Sequence, residues 1–206
     1  MFIDYIANHN KNNQALNLSE ETFSKASRRN PDPIAVTNLK ETEEHSRRMQ
    51  DMAYTIGKTL DLSNSELDNL KRLAVLHDIG KIAIPTYILD KPGRLTTEEW
   101  VIIKKHTDIG HRIAISSPDI APIAKGILHH HERWDGTGYP MGIKGEEIPL
   151  IARIVSIADA YDVMTNGRPY QKAVSQEEVW AEIERCAGSQ FDPYLVGKAI
   201  ELFKLE

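Results

Sequence analysis

The chain has 206 residues, 41% of them hydrophobic and 27% charged, the composition of an ordinary globular protein with one main domain and one good core. Its formal net charge of −5 does not suit nucleic acid or an anionic membrane, so no DNA or RNA partner is expected and an anionic ligand must be met by local cations. Cys186 is the only cysteine, which excludes an intramolecular disulfide framework and a thiolate-rich zinc site.

Along the chain, MFIDYIANHNKNN lacks the basic start and the longer apolar core of a signal peptide. No apolar run approaches the roughly 20 residues that a membrane span needs, and a reducing cytoplasm is the expected setting. Residues 1–37 are polar and end in the breaker Asn30-Pro31-Asp32-Pro33, which reads as a linker with one short helix around Phe2 to Ile6. Residues 38–206 read as one helical domain. Ser63 with Glu66, Thr96 with Glu99 and Ser175 with Glu178 have capping-box spacing and mark three helix starts. Lys91-Pro92-Gly93 reads as a turn, Trp134 to Ile148 as a long loop with four glycines, and Ile82 to Ile84 as a short extended piece. The fold expected is all-α, a bundle of about seven helices.

Within those helices, ionisable residues interrupt apolar stripes. Met49, Ala53, Ile56 and Leu60 give the buried face of the first long helix, and the same stripe extended backwards meets His45 and Glu41. Glu41 has a rival role, since Asn38 followed three residues later by Glu41 has capping-box spacing. In KRLAVLHDIGK, Leu70 and Leu73 lead to His77, with Asp78 beside it and Lys81 one turn on. Adjacent helical residues diverge by about 100°, so His77 and Asp78 can both reach metal only near a helix end or with two metals flanking the helix. Gly80 would weaken the helix where access is needed. Ile102 precedes His106 by four, Ile123 and Ile127 precede His131 by eight and four with His130 adjoining, and Ile151 and Val155 line up with Asp159, Asp162 following.

Five helices thus aim imidazoles and carboxylates inwards. Buried unpaired, such groups cost several kcal/mol each, against a typical domain stability of about 5–15 kcal/mol. A shared cation resolves this. The donors are nitrogen and oxygen and too many for one ion, so two or three divalent metals are expected: iron or manganese, with zinc admissible and nickel or cobalt as surrogates. Neighbouring divalent ions supply hydroxide near neutral pH and clamp attacking and leaving oxygens, which suits phosphate-ester hydrolysis.

HDIGK from His77 and HHERWDGTGYP from His130 to Pro140 resemble the signature of the HD-GYP domains, a branch of the HD superfamily of metal-dependent phosphohydrolases. ILDKPGRLTTEEW, HTDIGHRI, IVSIADAYDVMTNGRPY and QFDP also match, and the resemblance runs from Leu39 to Glu206. It implies a bacterial phosphodiesterase that opens cyclic-di-GMP to pGpG and in many members continues to GMP. It carries metal ligation onto His45, His77, Asp78, His106, His130, His131 and Asp159, with Glu41 completing a trinuclear set. It makes His77, Asp78 and Lys81 catalytic, and assigns Lys81, Arg168, Asp162, Lys172 and Tyr139 to the substrate. Where the family carries a cation after Arg168-Pro169-Tyr170, this chain has Gln171, with Lys172 next to it. Asp135, Gly136, Gly138, Tyr139 and Pro140 form the GYP loop, for which structural support, substrate contact and partner recruitment all stay open. Partners implied are an upstream sensory or receiver domain, GGDEF-type proteins and a second copy of the chain. His129 reads as a bystander, turned about 100° from His130; His111 and His9 read as surface residues, and Trp100, Trp134 and Trp180 as packing residues. A catalytically silent binding module and an HD phosphohydrolase of another nucleotide, such as cyclic GMP-AMP, are the competing readings.

Overall fold

A computed structural model describes residues 33–91, 93–166 and 174–203, with side chains in the first helix from residue 43 onward. The helices are α1 (Pro33–Thr59), α2 (Asn64–Leu76), the single turn α3 (Thr86–Leu89), α4 (Thr97–Lys104), α5 (His106–Ile115), α6 (Ala124–His129), α7 (Leu150–Asn166), α8 (Gln176–Arg185) and α9 (Pro193–Phe203). Short 3₁₀ turns cover Ile79–Ala83, Ala121–Ile123 and Gly145–Glu147. The all-α expectation holds, with somewhat more helices than the seven foreseen, because segments read as continuous are broken into short pieces.

All three capping boxes form: Ser63, Thr96 and Ser175 each accept from the backbone N–H three residues on, and Glu66, Glu99 and Glu178 reach back. Each satisfies two otherwise orphaned backbone donors. The long first helix begins at Pro33, whose fixed φ suits the first helical position. Asn38 therefore lies inside α1, and the alternative in which it caps a helix with Glu41 is removed.

Around α1, helices α2 and α7 pack directly, and α8 and α9 close over α7. Their shared core contains Met49, Ala53, Ile56, Leu70, Leu73, Ile154, Ile157 and Trp180. The α5–α6 pair closes the far side, seated on the 3₁₀ turn after α2. A smaller core of Ile84, Ile88, Leu89 and Ile103, with Trp100 against it, holds α3 and α4. Cys186 is a buried residue at the end of α8, as expected. Trp100 and Trp180 pack in cores, and Trp134 lies beneath the Arg153 guanidinium.

Two local expectations are corrected. Of Ile82–Ile84 only Ile84 is extended: Ile79–Ala83 is a 3₁₀ turn, and among the described residues the only β-type pairing is the isolated bridge Ala187–Phe191. Ile84 is buried in the smaller core, whereas Ile82 and Ala83 are exposed. The run from Ile102 to His106 also crosses a helix break rather than lying within one helix. The Lys105 N–H bonds Ile102 O, three residues back, which tightens and ends α4, and His106 opens α5.

Candidate metal centre

The ligand candidates gather where several helices start or stop. His45 lies in the middle of α1, His77 caps the end of α2 and Asp78 starts the 3₁₀ turn. His106 is the first residue of α5, His130 caps the end of α6 with His131 next, and Asp159 is on α7. Two groups form, one of Asp78, His106, His130 and His131 and one of His45, His77 and Asp159, each with candidate ligand atoms within 4.8 Å of one another. The groups adjoin through the His77–Asp78 step, where His77 Nε2 lies 3.4 Å from Asp78 Oδ2. The helix ends at this step, and His77 and Asp78 fall in adjacent groups.

The hydrogen bonds fix which ring nitrogens face inwards. Nδ1 of His77, His106 and His130 lies 3.0, 2.7 and 2.7 Å from the carbonyls of Ala74, Ile103 and Ile127. A carbonyl only accepts, so each Nδ1 carries the hydrogen and each neutral ring presents an Nε2 lone pair to the centre. There His106 Nε2 is 3.4 Å from His130 Nε2, and the two stand 3.3 and 3.8 Å from Asp78 Oδ1. That oxygen is buried and accepts no hydrogen bond. Acceptors thus converge with no donor between them, an arrangement unfavourable for protein alone and satisfied by a cation. The residues fit divalent metal.

Charge supports the same conclusion. Burial, and then the neighbouring imidazoles, pushes His130 and His131 well below the ordinary histidine range, and burial takes His106 down to about 4 despite the Asp78 charge. Neutral imidazole is the ligating form. His77 moves upward: burial opposes this, but the carboxylates of Asp78 and Asp159 outweigh it. Burial would also raise Asp78, yet Lys81, His77 and His106 hold its carboxyl well below the usual range. Lys81 is itself buried, with Nζ 2.5 Å from Asp78 Oδ2.

Gly80 has a different role from the one expected. A Cβ there would stand 1.9 Å from His106 O and 2.5 Å from Gly110 N, so glycine is required by the close approach of the 3₁₀ turn to α5 rather than by access.

The GYP loop walls the centre. The Tyr139 ring leans on His131 with centroids 4.9 Å apart, near His106, and Lys104 Nζ lies over it at 5.0 Å. Gly138 is pressed against the backbone of Glu132 and Arg133, where a Cβ would come within 2.4 Å of Arg133 N. Tyr139 N–H donates to His131 O, and the Tyr139–Pro140 peptide is cis. Gly136 takes a φ of +81°, and Asp135 accepts from the N–H and hydroxyl of Thr137. The Trp134 and Asp135 N–H groups donate to Gln190 and Ser189 carbonyls, and Arg133 donates to the Gln190 side chain.

Asp162, expected at the substrate, accepts from His45 Nδ1, Arg48 and Asn166. His111 and His129 join neither group. Glu41 lies one turn before His45 on α1 with its side chain outside the described residues, and Arg168, Gln171, Lys172 and His9 lie outside them altogether. Sequence reasoning passed over Glu132, a buried carboxylate that accepts from the N–H groups of Met141 and Gly142 and so ties the far side of the loop. Its only signal was an acid directly following two ligand histidines. Arg48, one turn after His45, was also missed.

A helical frame whose interior carries a paired imidazole–carboxylate centre for divalent cations defines the class. The chain belongs to the HD domain family, which matches residues 29–195. It is 43% identical over 166 residues to a cyclic di-GMP phosphodiesterase of Thermotoga maritima, covering 80% of this chain and 45% of that protein. It is 42% identical over 151 residues to the cyclic di-GMP phosphodiesterase response regulator RpfG of Xanthomonas campestris, covering 72% and 40%. Among solved structures it resembles a cyclic GMP-AMP specific phosphodiesterase of V. cholerae, with a TM-score of 0.62, 27% identity and coverage of 78% and 44%. The chain spans less than half the length of these curated relatives. No helix among the described residues is long and apolar enough to cross a membrane.

Proposed function

We propose that the chain is a metal-dependent phosphodiesterase that hydrolyses cyclic-di-GMP to pGpG and onward to GMP. The observation that carries this reading is the pair of adjoining acceptor groups that share the His77–Asp78 step. His45, His77 and Asp159 would hold one divalent ion, Asp78, His106, His130 and His131 a second, and Glu41 would add a ligand for a third. Iron or manganese suits this nitrogen and oxygen set, with zinc, nickel or cobalt as substitutes. Such ions supply an activated water and withdraw charge from the phosphoryl oxygens.

The remaining roles fall to the chain. Lys81, buried beside Asp78, keeps that carboxylate ionised and offers a cation to the phosphate. Tyr139 excludes water from the outer face of His131. Arg168 and Lys172 are assigned to the phosphates, with Lys172 replacing the cation that Gln171 does not supply. Water adds across one P–O3′ bond, leaving a 5′-phosphate and a free 3′-hydroxyl. A second substrate, cyclic GMP-AMP, is favoured by the likeness to the V. cholerae structure.

We assign residues 38–206 to the catalytic unit and residues 1–37 to a connector. The greater length of the relatives, one of them named a response regulator, supports an upstream sensory or receiver domain. GGDEF-type proteins and a second copy of the chain are the other proposed partners, in a reducing cytoplasm.

The test is product release from cyclic-di-GMP, cyclic GMP-AMP and nucleoside phosphates with Mn²⁺ or Fe²⁺ under reducing conditions, followed by chromatography. pGpG or GMP from cyclic-di-GMP is expected. Intact metal with no turnover of either cyclic dinucleotide overturns the enzyme reading in favour of a binding module, and turnover of nucleoside phosphates alone overturns the substrate.

A further inference from the structure

His45 is oriented differently from the other described ligands. The rings of His77, His106 and His130 are keyed by the carbonyl three residues back on their own chain segment. His45 Nδ1 instead meets Asp162 Oδ2 at 2.6 Å, from α1 to α7 and across 117 residues of sequence. Asp162 is in turn held by Arg48, whose Nε lies 2.5 Å from Oδ1 and whose Nη2 lies 3.1 Å from Oδ2, and by Asn166 Nδ2 at 3.0 Å from Oδ1. Four donor contacts fall on one buried carboxylate, with at least one on each oxygen. With donors on both oxygens, this carboxylate has its lone pairs engaged within the protein. A carboxylate partner makes an imidazole a stronger ligand than a carbonyl partner does, and fixes its tautomer and ring plane.

We propose that Asp162, braced by Arg48 and Asn166, is a positioning residue for His45 rather than a substrate contact, and that its loss selectively weakens the ion held by His45, His77 and Asp159. This rests on the metal-centre reading of the two groups. The second ion, held by Asp78, His106, His130 and His131, has no contact with this network in the hydrogen bonds described and stays.

The test uses the whole chain, purified without oxygen and loaded with Mn²⁺ or Co²⁺ in the absence of nucleotide. Metal per chain is measured by mass spectrometry, and the Co²⁺ ligand field by visible absorption. Asp162→Asn, which keeps the shape and one acceptor but removes the charge, is expected to lose about one ion per chain at limiting metal. Affinity for that ion falls about 10- to 100-fold, while the Co²⁺ bands of the retained site persist. Asp162→Glu restores part of the loss, and Arg48→Gln gives a smaller loss in the same direction. With substrate, kcat falls and KM changes little. Wild-type metal content and Co²⁺ spectrum in Asp162→Asn, with a raised KM, would return Asp162 to the substrate and overturn the proposal. So would loss of both ions together in Asp162→Asn and Arg48→Gln alike, or a wild-type chain that takes up no divalent ion. Because the metal titrations contain no nucleotide, a chain that binds metal as described but cleaves no cyclic dinucleotide refutes the phosphodiesterase reading and leaves this one standing.

Discussion

The two sides of the candidate metal centre are held in place by different kinds of force. On the α5–α6 side, His106 and His130 are keyed by main-chain carbonyls of the preceding turn, and α5 is pressed against the 3₁₀ turn so closely that Gly80 has no room for a side chain. On the α1–α7 side, His45 depends on a chain of side-chain charges running through Asp162 and Arg48. Backbone acceptors cannot be removed by substitution and respond little to salt. Side-chain acceptors can be removed one at a time. The first side is therefore the fixed floor of the site, and the second is the part that single changes can adjust.

The severest way to break this comparison is to remove a ligand from the fixed floor. His130→Ala leaves the Ile127 carbonyl in place but deletes an inward Nε2, and nothing nearby replaces it. Metal content should fall by at least one ion per chain and turnover by more than the roughly 10- to 100-fold that loss of an outer partner costs. Elemental analysis beside the product assay checks this. Unchanged metal would show that the floor is not the centre.

Acidification sharpens the contrast next, in metal-free protein. His106 is held at about 4, below its ordinary value near 6.5, and His130 and His131 are shifted the same way. Between those two values the unfolded chain binds protons that the folded chain refuses, so stability falls as pH drops from about 6.5 towards 4. His106 alone contributes roughly 3 kcal/mol of that loss. His77 opposes it: its raised folded pKa adds stability below about 6.5 that is lost as pH rises through the folded value. Urea denaturation at pH 7 and pH 5 should show weaker folding at pH 5. Equal stability at the two values would mean that the floor is wetter than its burial indicates.

Legibility in the sequence follows the same division. The caps were readable because Ser63, Thr96 and Ser175 bond within four residues, and the inward histidines because they interrupt apolar stripes at helical spacing. His106 falls in one of the two groups, although the helical spacing that pointed to it crosses a helix break. Its supposed face with Ile102 is cut by the turn at Lys105, and only the accumulation of such residues across five segments pointed to it. The Asp162–His45 pairing and the clash awaiting a side chain at Gly80 depend on how helices meet, 117 residues apart in the first case, and no local pattern encodes them. Glu132 escaped for a related reason, since its partners are backbone N–H groups nine and ten residues on, inside a loop with no periodicity.

Glu132 also gives a smaller effect, on the loop rather than the metals. Its fully buried carboxylate takes the Met141 and Gly142 N–H groups at 2.7 and 3.1 Å. Glu132→Ala leaves both donors without an acceptor, at about 1–3 kcal/mol each. For a chain of this length that lowers the melting temperature by roughly 4–24 °C. Metal content should hold, because none of the hydrogen bonds that key the ligand rings passes through Glu132. Loss of metal on the same scale as in His130→Ala would make the loop part of the floor.

The smallest effect expected is at His129, beside two candidate ligands in sequence and a member of neither group. Its Nδ1 lies 3.6 Å from Glu132 Oε1, too far for a hydrogen bond, and is buried without a partner. Truncation to Ala removes some packing and also removes that unsatisfied nitrogen, two terms of opposite sign and each on the order of 1 kcal/mol. The melting temperature of His129→Ala should stay within about 3 °C of wild type, with metal content and turnover unchanged. The neighbouring His131→Ala serves as the positive control, since its ring stands against His106 and Tyr139 at the centre. If His129→Ala stripped metal as His131→Ala does, the helix end at His130 would have to be rotated by about 100°, and the carbonyl keys that define the floor would be assigned to the wrong rings.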